Sequence, residues 1–409
     1  MKFKRKLKQV QTNHRRELKR IRKIQKIKVV FFVIHSSVWK YDILFRLIQK
    51  HPRFDPVIVI CPYTKFGDDI MFKEMNLCEN LFTKKKYPYI NTYKSDGEWL
   101  NVKGEVNPDI VFFTNPWKLT MDEYYILNYL DRLTCYVPYG FKNSWLYQSH
   151  FNKDMMNLVW KFFIETDIHK KLSKKYSRNK GINAVVTGYP GMDELIDENY
   201  SPKDPWKIKG RSLKRIIWAP HHTIPGCGAN LDYSTFLDYA DFMLQIVESY
   251  KDRVQIAFKP HPVLRGNLSL DEVWGKEKTD RYYQKWNNLT NGMLVDSEYI
   301  DLFLTSDALI HDSSSFVIEY LYVSKPELFL MKSNKVMERF NEVGKRAFKT
   351  LYHGKNESDI IQFIENVVLN NNDIKRKERA ELFNQIIRPP NHKSASENIL
   401  NHLINELEK

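Results

Sequence analysis

The first 28 residues place Leu7, Val10, Leu18, Ile21, Ile24 and Ile27 in a rough apolar stripe, with neither Pro nor Gly to interrupt a helix. From Val29 the pattern changes. Val29-Val30-Phe31-Phe32-Val33-Ile34 is a continuous apolar run, as expected of a strand buried on both faces of a parallel sheet. Helix-like segments alternate with further predicted strands at 56–61, 110–114, 134–138, 162–166 and 184–188. Residues 199–214 break this rhythm with Pro202, Pro205 and a charged Lys-Gly-Arg-Ser stretch, and read as a linker. Beyond it the alternation restarts, with strands at 215–219, 254–259, 293–295, 308–311 and 327–331 and helices near 233–250 and 270–287. A charged helical stretch runs from about residue 359 to the end. Such repetition predicts α/β architecture: two doubly wound, Rossmann-like lobes facing a central cleft. The expected domains are a basic helix at 1–28, an N-terminal lobe at 29–198, the linker, and a C-terminal lobe at 215–409 that includes the final helices.

Charge changes the picture only at one end. The chain carries a net charge of +15, but residues 1–28 hold thirteen Lys or Arg against Glu17 alone, a local +12. The remaining body is close to neutral. No RNP, zinc-finger or helix-turn-helix pattern accompanies the basic segment, so nucleic acid is not the expected partner. A basic amphipathic helix suits an anionic membrane surface, with a solvated tail as the plain alternative. No run of eighteen apolar residues predicts a bilayer span, and no secretory leader is visible. Cys61, Cys78, Cys135 and Cys227 are scattered, which fits a reducing, cytoplasmic setting.

Candidate chemistry gathers at three predicted strand ends in the second half. Trp218-Ala219-Pro220 leads into His221, His222 and Thr223; Lys259-Pro260-His261-Pro262 ends a second strand; His311, Asp312, Ser313, Ser314 and Ser315 follow a third. Open α/β sheets bind ligands there. Serines at a helix start offer hydroxyl and N–H donors to an anion, Lys259 a point charge, and His261 a donor to phosphoryl oxygen. Glu319, one turn beyond Ser315, is placed to accept from ribose hydroxyls, and Arg265 to add a phosphate contact. Each residue also has a plain structural role open to it: Asp312 as a helix cap, His261 in a turn, Glu319 on a solvated face. Zinc held by His221, His222 and Cys227 matches no standard spacing, so no metal site is expected.

The WAP-x-x-T segment, the Lys-Pro-His-Pro turn and the Asp312-Ser313-Ser314-Ser315…Glu319 pattern resemble the CDP-glycerol glycerophosphotransferase family of teichoic acid and capsule polymer synthesis. Lys325-Pro326 and the segment Lys393-Ser394-Ala395-Ser396-Glu397-Asn398-Ile399 are similar too, with Asn398 where the family has Arg. The resemblance spans roughly residues 215–399. It implies a GT-B fold, an N-terminal acceptor lobe, a C-terminal lobe binding a CDP-activated donor, and peripheral attachment to the inner membrane face. It further implies transfer of glycerol phosphate or another polyol phosphate to a polymer or lipid-linked hydroxyl, with release of CMP and no required cofactor. Members carry a His-Gly-Thr-Pro-Leu-Lys motif whose His is the suspected base; the matching place holds Tyr139, with Gly140 and Lys142 retained. Tyrosine, with a pKa near 10, is a poor base at neutral pH, which makes His35, directly after the first strand, the substitute candidate. A nucleotide-sugar glycosyltransferase on the same scaffold, or a membrane-tethered nucleotide-binding protein that has lost catalysis, are the alternatives.

Overall fold

The computed structural model describes residues 2–210, 213–225, 233–296 and 299–409. Contacts divide the chain into two units: 1–142, 146–193 and 388–409 form the first, and 143–145 with 194–387 the second.

The first unit is built on a seven-stranded, all-parallel sheet of order β3-β2-β1-β4-β5-β6-β7. Its strands are β1 (Ile27–Val33), β2 (Phe54–Ile60), β3 (Tyr89–Asn91), β4 (Ile110–Phe113), β5 (Leu133–Tyr136), β6 (Lys161–Ile164) and β7 (Ala184–Val186). The unbroken apolar run of β1 has a direct cause. Ile27, Val29, Phe31 and Val33 enter one core layer, while Val30 and Phe32 enter the layer on the opposite face. The second unit carries six parallel strands in the order β10-β9-β8-β11-β12-β13. These are β8 (Lys214–Ala219), β9 (Val254–Phe258), β10 (Gly292–Leu294), β11 (Ala308–His311), β12 (Glu327–Leu330) and β13 (Tyr352–Gly354). Two parallel, doubly wound sheets are what the sequence pattern predicts; β3 and β13, three-residue edge strands, escape it.

Three expected boundaries differ. The predicted linker is part of the second unit: Trp206 is fully buried and its Nε1–H donates to Thr305 Oγ1 at 2.8 Å, while Asp204 pairs with the buried Arg215 at 2.8 Å. The division of the chain falls instead between Asp193 and Glu194. The last helix, Ala395–Glu408, belongs to the first unit and not to the C-terminal lobe. Ile399, Leu403 and Leu407, four residues apart, bury one face against the layer of Ile27 and Phe31. Each such side chain contributes roughly 1.5–3 kcal/mol. Asp193 receives the N–H groups of Ala395 and Ser396, and Ser394 and Glu397 form a capping box.

The basic helix, Lys2–Ile21, also departs from expectation. Its apolar stripe is not free for a bilayer: Val10 and Ile21 are buried in the first unit and Leu18 packs beside them. Glu17 and Asp109 both pair with Arg20, fixing the helix to the sheet. Ile27 starts β1. What the helix exposes is charge, including Lys4, Lys8, Arg16 and Lys19.

Candidate active site

Three loops leave the carboxyl ends of β9, β8 and β11, which are neighbours in the second sheet. From β8 the chain proceeds to β9 on one side, and from β11 to β12 on the other. This reversal is the topological switch point at which open α/β sheets hold ligands.

The first two loops converge through their imidazoles. His222 lies 4.2 Å from His221 and 4.1 Å from His261, ring centre to ring centre, and the His261 N–H donates to the Pro220 carbonyl. The Val263 N–H donates to His261 Nδ1 at 3.2 Å, and Thr223 approaches His221 Nδ1 with its hydroxyl at 3.0 Å and its N–H at 3.4 Å. A ring nitrogen that accepts leaves the proton on the other, so His221 and His261 each present an Nε2–H donor. Burial, reinforced by the neighbouring rings, draws His221 down to about 2. His261 falls to about 4, by burial first and then by His222 and Lys259. Burial lowers His222 as well. These are neutral donors at physiological pH.

Ligand atoms of the three histidines all lie within 4.8 Å of one another, close enough to ask whether they hold a metal. An ion taken by Nε2 would require His221 and His261 to change tautomer and surrender the Thr223 and Val263 N–H groups. Neutral N–H donors fit phosphoryl oxygens instead. Cys227, the remaining member of the zinc set considered from sequence, lies outside the described residues.

The third loop holds the serines. Ser314 and Ser315 are half-buried, and the Ser313 and Ser315 hydroxyls are 3.1 Å apart. The helix expected over 316–322 is a single α-turn, Phe316–Glu319, continuing as a 3-10 turn, so its dipole is small. Hydroxyls and peptide N–H groups supply the donors. Tyr299, which sequence reasoning missed, joins this loop to the Lys-Pro-His-Pro turn: its hydroxyl donates to Glu319 at 2.8 Å, and the Lys259 Nζ lies 5.9 Å from its ring centre. Only its place just before a short helix could have marked it.

Several predicted substrate contacts are engaged by the protein itself. Asp312 is fully buried and accepts from the His221 N–H and from the Thr235 N–H and hydroxyl. Burial pushes its pKa up to about 6, against these bonds. It braces the β8 and β11 loops together. Thr223 is buried and accepts from the Tyr233 N–H while holding His221. His311 has no exposed surface, its two nitrogens directed at Ser313 and Glu327. Arg265 is half-exposed, paired with Asp280 at 2.8 Å and laid over Tyr283. In the first unit, His35 follows β1 and contacts Ser37 through Nδ1 at 2.8 Å, with burial lowering its pKa. Tyr139 follows β5, and its hydroxyl accepts from Trp117 Nε1–H at 3.4 Å.

Two Rossmann-like units on parallel sheets, with a cluster of neutral donors at the switch point of the second, define a GT-B-like fold. The chain belongs to the CDP-glycerol:poly(glycerophosphate) glycerophosphotransferase family, whose model matches residues 148–405, more than half its length. It is 27% identical over 187 residues to the teichoic acid ribitol-phosphate polymerase TarL of Staphylococcus aureus, and 26% identical to TarK of the same organism. Each match covers 41% of this chain and 30% or 33% of the relative, so the chain aligns with about a third of these longer proteins. Among solved structures, the wall teichoic acid polymerase TagF shares the fold at a TM-score of 0.60 and 12% identity, over 94% of this chain and 89% of that one. The UDP-GlcNAc 2-epimerase of Neisseria meningitidis matches equally well, at 0.60 and 14% identity over 93% and 100%. The same fold serves transfer and epimerisation, so the site must carry the functional argument.

Proposed function

We propose that this protein transfers glycerol phosphate, or a related polyol phosphate such as ribitol phosphate, from a CDP-activated donor to a hydroxyl of a polymer or lipid-linked acceptor in teichoic acid synthesis. Capsule-type polymers offer the same hydroxyl chemistry. The observation that carries this reading is the cluster of His221 and His261 Nε2–H donors with Lys259 beside the serine loop, in a chain of this family. The acceptor oxygen attacks the phosphorus bearing the polyol, the bond to the bridging oxygen breaks, and CMP leaves with that oxygen. Catalysis is then positioning and charge neutralisation. Ser314 and Ser315 hold the pyrophosphate, Lys259 and His261 stabilise charge on the transferred and departing groups, and Glu319 with Tyr299 meets the ribose. His35 takes the acceptor proton, with Tyr139 the weaker candidate; burial keeps His35 neutral and able to accept it.

The decisive experiment is nucleotide release from CDP-glycerol, CDP-ribitol and a panel of nucleotide sugars in the presence of a membrane acceptor fraction. Acceptor-dependent CMP supports the proposal; a nucleoside diphosphate from a sugar donor replaces it with glycosyl transfer. No cofactor enters this mechanism, so exhaustive treatment with a chelator is expected to leave turnover within about twofold of untreated enzyme. Loss of activity restored by zinc would reassign the three histidines as ligands.

The membrane reading now rests on charge. The exposed basic face of the first helix suits an anionic bilayer, each Lys or Arg near the surface being worth about 1 kcal/mol. Replacing Lys4, Lys8, Arg16 and Lys19 with Gln should weaken binding to anionic vesicles by about two orders of magnitude or more, with stability preserved. Equal binding of wild type and variant in sedimentation would remove the membrane contact. Deleting residues 1–28 is the poorer test, because it removes buried Val10 and Ile21 and the start of β1.

A further inference from the structure

Two successive carbonyls of the serine loop are held by side chains outside it. His311 Nδ1 lies 3.0 Å from the Ser313 carbonyl oxygen, and the Asn143 side-chain amide donates to the Ser314 carbonyl. A carbonyl only accepts, so Nδ1 carries the His311 proton and Nε2 presents its lone pair. That Nε2 faces Glu327 Oε2 at 3.4 Å, both side chains being fully buried. Burial pulls His311 down to about 3 and pushes Glu327 well above the usual carboxylate range, with Arg379 opposing. A neutral imidazole beside a buried carboxyl is not an ion pair, and no hydrogen bond joins His311 Nε2 to Glu327. Asn143 is equally fixed. Its own carbonyl accepts from the Asn341 N–H at 2.8 Å, and Gly344 packs so closely that a Cβ there would stand 2.5 Å from it.

In a trans peptide the C=O and the following N–H point in opposite directions. Drawing the Ser313 and Ser314 carbonyls toward His311 and Asn143 turns the N–H groups of Ser314 and Ser315 away from them. We propose that His311 and Asn143, each holding one of these carbonyls, are positioning residues that set the two peptides to receive the donor's pyrophosphate alongside the Ser314 and Ser315 hydroxyls. This rests on the donor-site reading above. Neither residue touches the nucleotide itself, so each affects only the part of binding that the phosphates supply.

The test is calorimetric titration of the full chain with CDP and with cytidine, which lacks phosphates. His311→Leu and Asn143→Ala are each expected to weaken CDP binding about tenfold, the loss of one well-placed hydrogen bond, and to leave cytidine binding unchanged. If His311→Leu does not fold, His311→Phe keeps a flat ring without the N–H and is expected to show the same selective loss. Wild-type CDP affinity in His311→Leu (or His311→Phe) and in Asn143→Ala overturns the positioning proposal while the donor site stands. A wild-type protein that binds CDP no tighter than cytidine overturns the donor-site reading, and this proposal with it.

Discussion

Alanine in place of His261 is expected to lower acceptor-dependent CMP release by roughly 10²–10³-fold, the usual cost of removing one donor aimed at developing charge. The His261 ring is fixed from two sides: its backbone N–H is bonded to Pro220, and its Nδ1 receives the Val263 N–H. A donor fixed before the substrate arrives needs no reorganisation as charge grows on the phosphoryl oxygens, so most of its effect belongs to the transition state. The loss should therefore appear in kcat more than in KM. Arg265 supplies the internal comparison. Its guanidinium is committed to Asp280, and Arg265→Ala is expected to change turnover by less than about threefold, as befits an exposed ion pair. Near-normal turnover in His261→Ala would remove the assigned chemistry, whatever donor the enzyme uses.

The contrast between these residues marks what can be read along a chain. Strand ends are legible because a strand covered on both faces is apolar throughout, and its last residue is conspicuous when polar groups follow; hence β8, β9 and β11 and their motifs. Side-chain partners are not legible in the same way. His261 meets His221 only because β9 lies beside β8, and the sequence pairs His221 and His222 more naturally with nearby Cys227. The family pattern around Asp312 reads as a ligand contact, although three donors from two other segments consume the carboxylate. Domain limits mislead for a related reason. Residues 199–214 have the composition of a linker, yet one large side chain, Trp206, is enough to seat them on the second unit. The capping box at Ser394 is readable as a helix start, but not the unit on which that helix docks.

Removing the Glu165 carboxylate, as in Glu165→Ala, should destabilise the protein by about 3–5 kcal/mol, because it takes the opposite charge from beside a buried ammonium. Lys142 is the residue likened above to the last position of the His-Gly-Thr-Pro-Leu-Lys motif. It is buried, with its N–H 3.0 Å and its Nζ 3.4 Å from Glu165 Oε1, and the Nζ lies over the rings of Tyr136 and Phe162. His169 completes the arrangement as a neutral brace: its Nε2–H donates to the Lys142 carbonyl at 2.6 Å, and its Nδ1 faces the Thr166 hydroxyl at 2.8 Å. Burial opposes ionisation of Glu165, but the Lys142 charge, the His169 ring and backbone N–H groups outweigh it and hold the carboxyl below its ordinary range. Burial also pulls Lys142 down, with Glu165 resisting. Two desolvated charges contribute little net stability as a pair, and a single one costs a great deal. The double replacement Lys142→Met with Glu165→Leu should accordingly recover most of what Glu165→Ala loses, since an apolar pair of similar volume needs no compensation. In thermal unfolding the single variant is expected to melt about 10 °C lower and the double variant close to wild type. A single variant within about 1 kcal/mol of wild type would show that the Lys142 ammonium finds water or another partner once Glu165 is gone, and would break the link drawn between this motif lysine and the stability of the first unit.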